Sequence, residues 1–466
     1  PLQQRQLALQ EYSNTQSTYL LVRASARSTA LKATLTDQLH RKFRLVDRLG
    51  GELTASVDGV LLAAEDVELM STALMYFAKA LQDGADYAVC NAVFGFGGAT
   101  ALYQSQPLQA QNRCAVVSRT LLERCRAAAH DPENVPELLA LAAQLCTKPT
   151  LIPQALLHYE RGICAEDAFS AHGKRAFIMS HVLDMTGAPI VLVSAVPVLR
   201  SMGYEVLVLG PSDGGSLHLF LDAGASVITR SSCRNVSDAW GMALCADFVI
   251  ANTVVMARAV RALSGTAVPV LWWLHDAFAG YPHIAHQIPT QLGENVRVYS
   301  VGSHAANAMR AVRPEFEIRP LIYGLPDYAA ENFVRTDLGY NRGRPLFATV
   351  GSFERRKGHD IFCKAIRLLP PEVREKASFL FVGQAADKEM MDSVRALTAD
   401  YPENVYYCKR LARDEIKSLM EQCTGLVCAS RDDPMPTFVT EGLIFGKPSI
   451  VSEHTRTAGL ISEGRN

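Results

Sequence analysis

The stretch DDPMPTFVTEGLIFGKPSIVSE, Asp432 to Glu453, opens on two acids and closes on GKPSIVS. Just before it stands TGLVCAS, a short apolar run that reads as a strand. Ser430 to Thr437 is then the loop beyond the carboxyl end of that strand. A helix is expected to start close to Phe438, with Glu441 in its first turn. In open α/β sheets ligands bind at this edge. A carboxylate at Glu441 can accept hydrogen bonds from two vicinal hydroxyls, as on a ribose. The amides of Met435 and Thr437 lie near the positive end of the helix, where a phosphate is stabilised. The prolines give up amide donors but fix the shape of the loop. Asp433 then faces whatever lies beyond the phosphates. Read alone, the segment is equally an acidic cap on a packing helix.

VGSFERRKGHD, residues 350–360, shifts that balance. It is again strand, glycine turn and helix start. Gly351 permits close backbone approach, and Arg356 and Lys357 bring cations to the same edge. A diphosphate needs both, although a solvated basic turn has the same composition. MTGAP, residues 185–189, is the matching turn further upstream. Its Gly187 suits a bound ligand or simply a tight turn. GLIFGKPS resembles a phosphate loop but is one residue short, with Pro448 after the lysine. FGFGGAT (94–100) lacks the third glycine spacing of a dinucleotide fingerprint. His172 and His181 are not at metal-ligand spacing. His283 and His286 could share a helical face but have no supporting ligands.

Working outward, short apolar strands alternate with helical stretches in two series. RAFIMSHVL, YEVLVLG, ADFVIAN, VPVLWWLHD and VRVYSVG form the first, PLFATVGS, ASFLFVGQ, NVYYCKR, TGLVCAS and KPSIVSE the second. Continuous apolar strands between helices indicate parallel sheets covered on both faces. LIYGLPDYAAENFVRTDLGYNRGRP, rich in Gly, Pro and charge, separates the series as a linker. The first part of the chain is a mixed α/β domain of its own. STYLLVRAS, DYAVCNAVF, CAVVS and TLIPQALLHYE read as strands, ELMSTALMYFAKALQDG and PELLALAAQLC as helices, and LLAAEDV as at best a weak strand. The expected division is 1–168, 172–335 and 336–466, the last incomplete at its end.

The chain has 466 residues and a formal net charge of -1, so no basic field calls for nucleic acid or anionic lipid. Its eleven cysteines form no CxxC pair, and Cys90, Cys114, Cys245, Cys363 and Cys428 sit in apolar surroundings. That usage reads as reduced, buried thiols in a cytoplasm. No apolar run approaches the ~18 residues that span a bilayer. PLQQRQLALQEYSNTQ opens the chain as a polar helix or loop, not a signal segment. The expectation is a cytoplasmic protein, with any membrane contact peripheral at the inner face.

Residues 176–466 resemble the family 4 retaining glycosyltransferases, which have the GT-B fold of two doubly wound, Rossmann-like domains facing a cleft. The residues that carry it are SHVLDMTGAPIVLVSAVPVLRSMGYEVLVLG, GSFERRKG, FLFVGQ and SRDDPMPTFVTEGLIFGKPSIVS. The last matches the family's two acids spaced by seven residues and its G-x-P strand. The resemblance implies a nucleotide-sugar donor held by the C-terminal lobe, a glycan or lipid-linked glycan acceptor on the N-terminal lobe, and no obligatory metal. It implies that Glu441 binds the donor ribose and that Lys357 neutralises the diphosphate. Gly187, Gly351, Gly383, Met435 and Thr437 would line the donor site. Asp433 would sit by the transferred sugar, where the family usually has Glu. Ser352 stands where the family often has Arg, and the resemblance implies that Arg356 compensates, as in relatives that read E-P-R-K-G. Asn252 stands in place of the family's first-lobe histidine, and His275 is the nearest remaining histidine of that kind. These departures leave open a non-catalytic glycan-binding or scaffold protein of a glycan-assembly complex.

The first part more faintly resembles the second half of a family 2 glycosyltransferase of GT-A fold, through ELMSTALMYFAKALQDGADYAVCN, CAVVSRTLLERC and LIPQALLHYER. That family's Asp-rich metal motif has no counterpart before the 68–83 helix, where Glu65, Asp66 and Glu68 are the only close acids. The expectation is a GT-A-like remnant without its own catalysis or metal.

Overall fold

The computed structural model describes residues 17–455, apart from 26, 66, 96–99, 105–112, 160–172, 213, 231–232, 235–237 and 331. Asp66, His172, most of FGFGGAT, and the expected opening segment and chain end lie outside the described residues. The described chain forms two compact units, one running to Met185 and resuming over Ala195–Asp247, the other made of Thr186–Ser194 and the chain from Phe248 on.

The first unit is built on β1 (Leu20–Arg23), β2 (Phe43–Val46), β3 (Gly59–Ala63), β4 (Glu68–Leu69), β5 (Tyr87–Gly95), β6 (Thr100–Gln104), β7 (Cys114–Ser118), β8 (Pro149–Tyr159), β9 (Lys174–Met179), β10 (Tyr204–Gly210) and β11 (Ser226–Arg230). The order is β2-β1-β3-β7-β5-β6-β11-β10-β9, with β8 against β5 and β4 against β8. β2, β1 and β3 are parallel, as are β9, β10 and β11. Antiparallel β6 joins the two groups by pairing with β5 and β11. Alternate residues enter opposite cores: Leu20, Val22 and Leu61 one, Leu21, Val60 and Leu62 the other.

Three local readings change. LLAAEDV was expected as a weak strand, but Gly59–Ala63 is buried throughout, between β1 and β7. The helix expected over 68–83 runs only from Ala73 to Gln82. Glu68 and Leu69 pair instead with His158 and Leu157, and the Glu68 carboxylate meets His158 Nδ1 at 2.8 Å. Pairing with a distant strand overrides the local helical pattern. Cys245, expected in apolar surroundings, is exposed at the end of a short helix.

The second unit holds two parallel sheets. β12 (Phe248–Asn252), β13 (Val270–Leu274), β14 (Val296–Ser300) and β15 (Ile318–Pro320) lie side by side in chain order. β16 (Leu346–Val350), β17 (Ser378–Val382), β18 (Val405–Cys408), β19 (Gly425–Cys428) and β20 (Ser449–Val451) take the order β18-β17-β16-β19-β20. Both faces of this second sheet are covered. Phe379 and Phe381 point into one core, Leu380 and Val382 into the other. β16 is therefore the switch point. The chain builds β17 and β18 on one side, then crosses to β19 and β20 on the other, which opens a crevice at the carboxyl ends of β16 and β19. The segment read as a linker is strapped to the helix Arg413–Gln422. Thr336 N donates to Ser418 Oγ at 3.0 Å, and Gln422 Nε2 to Thr336 O at 2.6 Å.

One glycine sets the closeness of the two crevice loops. Gly358 has φ 68°, and a Cβ there would fall 1.9 Å from the Ala429 carbonyl oxygen. Gly358→Ala meets both a left-handed backbone and a backbone clash. It is expected to destabilise this unit by about 2–5 kcal/mol, summing the usual costs of the two effects. Chemical denaturation followed by tryptophan fluorescence checks this, and a loss under 1 kcal/mol would contradict it.

Candidate functional site

The loop after β16 carries Gly351, Ser352, Arg356 and Lys357, and the loop after β19 carries Asp432 and Asp433. They are laced together by backbone and side chains. Arg431 N donates to Arg356 O at 2.7 Å. The Arg431 guanidinium grips Asp360 with two bonds, of 2.8 and 2.7 Å. Lys357 Nζ lies 2.5 Å from Asp433 Oδ2, and the Asp433 residue is only 4 % exposed. Ser352 Oγ donates to Glu354 Oε1 at 2.6 Å, and the Arg356 guanidinium bonds both oxygens of Glu354. Gly383 follows β17, and a Cβ there would strike the Gly351 carbonyl, so it packs the turn.

The helix at this edge is Thr437–Ile444, starting one residue before the expected Phe438, so Glu441 is its fifth residue. Starting at Thr437 leaves the prolines at 434 and 436 outside the hydrogen-bonded turns. Glu441 is 5 % exposed and its Oε1 accepts from Arg413 Nη1 at 2.7 Å. Burial raises its carboxyl above the usual range, while Arg413 and Lys417 pull it down. Thr437 faces Gly187: a Cβ at Gly187 would lie 2.7 Å from Thr437 Oγ1. The buried Tyr323 hydroxyl donates to the Met435 carbonyl at 3.1 Å.

Asn252 and His275 stand at the carboxyl ends of neighbouring strands β12 and β13. Asn252 is fully buried, and neither atom of its amide has a hydrogen-bond partner among the described residues. Thr253 beside it has φ 72°, a left-handed conformation that a β-branched residue rarely takes. The His275 ring lies 4.6 Å from that of Trp273 and 6.1 Å from that of Tyr323. Asp276 Oδ2 accepts from Val254 N at 2.6 Å and so braces the turn after Asn252.

Sequence reasoning missed several of these residues. Asp432 makes the longer connection, accepting from Ala279 N at 2.9 Å and meeting His304 Nε2 at 2.6 Å. Burial works to raise its carboxyl, but the His304 ring and two backbone amides hold it below the usual range. Arg413, Tyr323 and His304 lie far from these acids in sequence, and no local motif marks them. Among the described residues, no group of three His, Cys, Asp or Glu side chains is placed to hold a metal ion.

Burial pushes the Asp276 carboxyl up to about 6. An acid with a raised folded-state pKa contributes stability below its unfolded value, lost as pH rises through the folded value. Asp276→Asn is therefore expected to gain melting temperature relative to the wild type as pH climbs from 4 to 6.5. Differential scanning fluorimetry across that range checks it, and a constant gap between the two proteins would contradict it.

Residues 172–312 match the model of glycosyl-transferase family 4, and residues 331–466 that of the glycosyl transferases group 1. The crystal structure of HepE from Anabaena in complex with UDP and glucose is similar to this chain. It is 16 % identical, with a TM-score of 0.50, over 62 % of this chain and 84 % of that one. The same protein in complex with UDP-glucose gives 15 %, 0.50, 63 % and 84 %. No curated protein matches the chain by sequence. The two segments are thus glycosyltransferase segments, and over that part the fold is that of GT-B glycosyltransferases. No helix among the described residues is long and apolar enough to cross a membrane.

Proposed function

We propose that the chain is a retaining glycosyltransferase that moves a sugar from a nucleotide-diphosphate donor to a surface polysaccharide or glycoconjugate acceptor. The observation that carries this reading is the switch-point crevice, where Lys357 meets the loop that leads into the helix Thr437–Ile444 and the buried Glu441 lies within that helix. The diphosphate goes to Lys357 and the amide end of the helix, the ribose to Glu441. The UDP and UDP-glucose named for HepE support a donor of that class. Asp433 sits by the transferred sugar, and the amide of Asn252, without a hydrogen-bond partner among the described residues, suits a sugar hydroxyl, with His275 on the neighbouring strand end. Charge on the leaving diphosphate is met by Lys357 and Arg356, with no obligatory metal.

In this reading residues 172–335 hold the acceptor and 336–466 the donor. Residues 1–168 are a GT-A-like remnant, supported by the parallel β2-β1-β3 group followed by antiparallel β7. The protein works in the cytoplasm, and its contact with a lipid-linked acceptor is peripheral. Incubation with a panel of UDP-, GDP- and dTDP-sugars tests the reading, and failure to bind any of them removes it. The rival is a non-catalytic glycan-binding scaffold, favoured by the Lys357–Asp433 pair that occupies the cation. Slow release of free nucleotide diphosphate from one donor, lost in Glu441→Ala, excludes the scaffold.

A further inference from the structure

We infer that Arg413 is a positioning residue of the nucleotide site: held between Glu441 and the ring of Tyr328, it orients the buried carboxylate and supplies the counter-charge under which that carboxylate accepts two ribose hydroxyls. The inference rests on reading the crevice as a nucleotide site. Its own support is geometric. Arg413 opens the helix Arg413–Gln422, and its Nη1 meets Glu441 Oε1 at 2.7 Å. Its guanidinium carbon lies 4.3 Å from the centre of the Tyr328 ring, a stacking arrangement that fixes the plane of the fork. Tyr328 is itself buried, 7 % exposed, in the strap that crosses this helix. The strap is pinned on either side of Ser418, by Val334 N to Asp414 Oδ2 at 3.1 Å and by Arg335 to Glu421 at 3.0 Å. Arg413 is thus held by a ring whose own position is set by a separate piece of chain.

The need for such a residue follows from burial. A carboxylate 5 % exposed without a cation takes up a proton rather than stay charged. A protonated Glu441 keeps fewer acceptor sites and loses the charge that strengthens a bond from a hydroxyl. The ionisable groups facing Glu441 are Arg413 and Lys417 from the helix Arg413–Gln422 and Tyr323 from the strap. Lys417 lies one turn along the same helix face, its Nζ 5.4 Å from the Tyr328 ring, while Arg413 makes the direct bond. Asp433, another buried acid of the crevice, has its charge met by Lys357. One oxygen of Glu441 takes the guanidinium, which leaves lone pairs on the carboxylate for two hydroxyls.

A plain tie between two helices and a charge-keeping residue make different predictions. Loss of a tie weakens binding equally at every pH. Loss of the counter-charge lets Glu441 protonate, so binding falls by about tenfold per pH unit below its new pKa. The test is calorimetric titration of the full chain with UDP, GDP and ADP, and with the 2′,3′-dideoxy form of whichever binds. It is run from pH 5.5 to 8.5 on the wild type, Arg413→Lys and Arg413→Gln. Arg413→Lys is expected to follow the wild-type profile, which carries the ionisation of the nucleotide's own terminal phosphate. Arg413→Gln is expected to lose affinity more steeply than the wild type toward low pH, and the dideoxy nucleotide to lack that excess slope. An Arg413→Gln profile parallel to the wild type would overturn the inference while leaving the nucleotide site in place. If Arg413→Gln does not fold, a steep slope in Arg413→Lys would overturn it equally. Absence of binding by the wild type to all three nucleotides would instead remove the underlying reading of the crevice.

Discussion

Glu441→Ala is expected to lower nucleotide affinity by about 10²- to 10⁴-fold. The variant removes two hydrogen bonds to a charged acceptor, each worth roughly 1.5–3 kcal/mol, and every 1.4 kcal/mol is about a factor of ten. The stability cost is expected to be smaller. Glu441 is 5 % exposed, but the side chain of its partner Arg413 is 32 % exposed and keeps the Tyr328 ring. Calorimetry with the donor that the wild type binds, run beside a melting curve, separates the two effects. An affinity within threefold of the wild type would place the ribose elsewhere.

Lys357→Ala is expected to damage binding and folding together, by different routes. Binding loses one charge-assisted hydrogen bond to the diphosphate, roughly 1.5–3 kcal/mol, or about 10- to 150-fold. Folding suffers because Asp433 remains behind, its side chain 6 % exposed and 2.5 Å from the vanished ammonium. Stranding one partner of a buried pair typically costs about 3–5 kcal/mol. Adding Asp433→Asn removes the stranded charge. The double variant is therefore expected to recover most of the lost stability in urea denaturation but none of the nucleotide affinity. Recovery of neither, or of both, would show that the lysine and the acid do not act as this pair.

The structure also shows why some of the candidate crevice could be read from sequence and some could not. The two crevice loops were legible because strand, glycine turn and helix start follow one another within a few residues. Gly351, Arg356, Lys357, Asp433 and Glu441 all sit in such local units. The helix that carries Glu441 starts at Thr437, one residue before the expected Phe438, because the chain enters it directly from Pro436. Arg413, Tyr323 and Tyr328 were missed for a different reason. Each reaches the site through a contact with a distant segment, as Tyr323 does with Met435 and Arg413 with Glu441. Nothing in a Gly- and Pro-rich linker announces that Tyr323 and Tyr328 will be buried. The short strand at Glu68–Leu69 makes the same point in the first unit. Its neighbours read as helix, and only β8, about ninety residues on, makes it a strand.

The central claim is that the crevice at the ends of β16 and β19 holds a nucleotide diphosphate. A crystal structure of the protein soaked with UDP, or with the diphosphate preferred in the titration, tests it most directly. The account predicts ribose hydroxyls at about 2.6–3.2 Å from Glu441. It also predicts phosphate oxygens beside Lys357 and the amide end of the helix Thr437–Ile444, with the Lys357–Asp433 bond opened. A nucleotide bound with its ribose away from Glu441 and its phosphates away from Lys357 would contradict it.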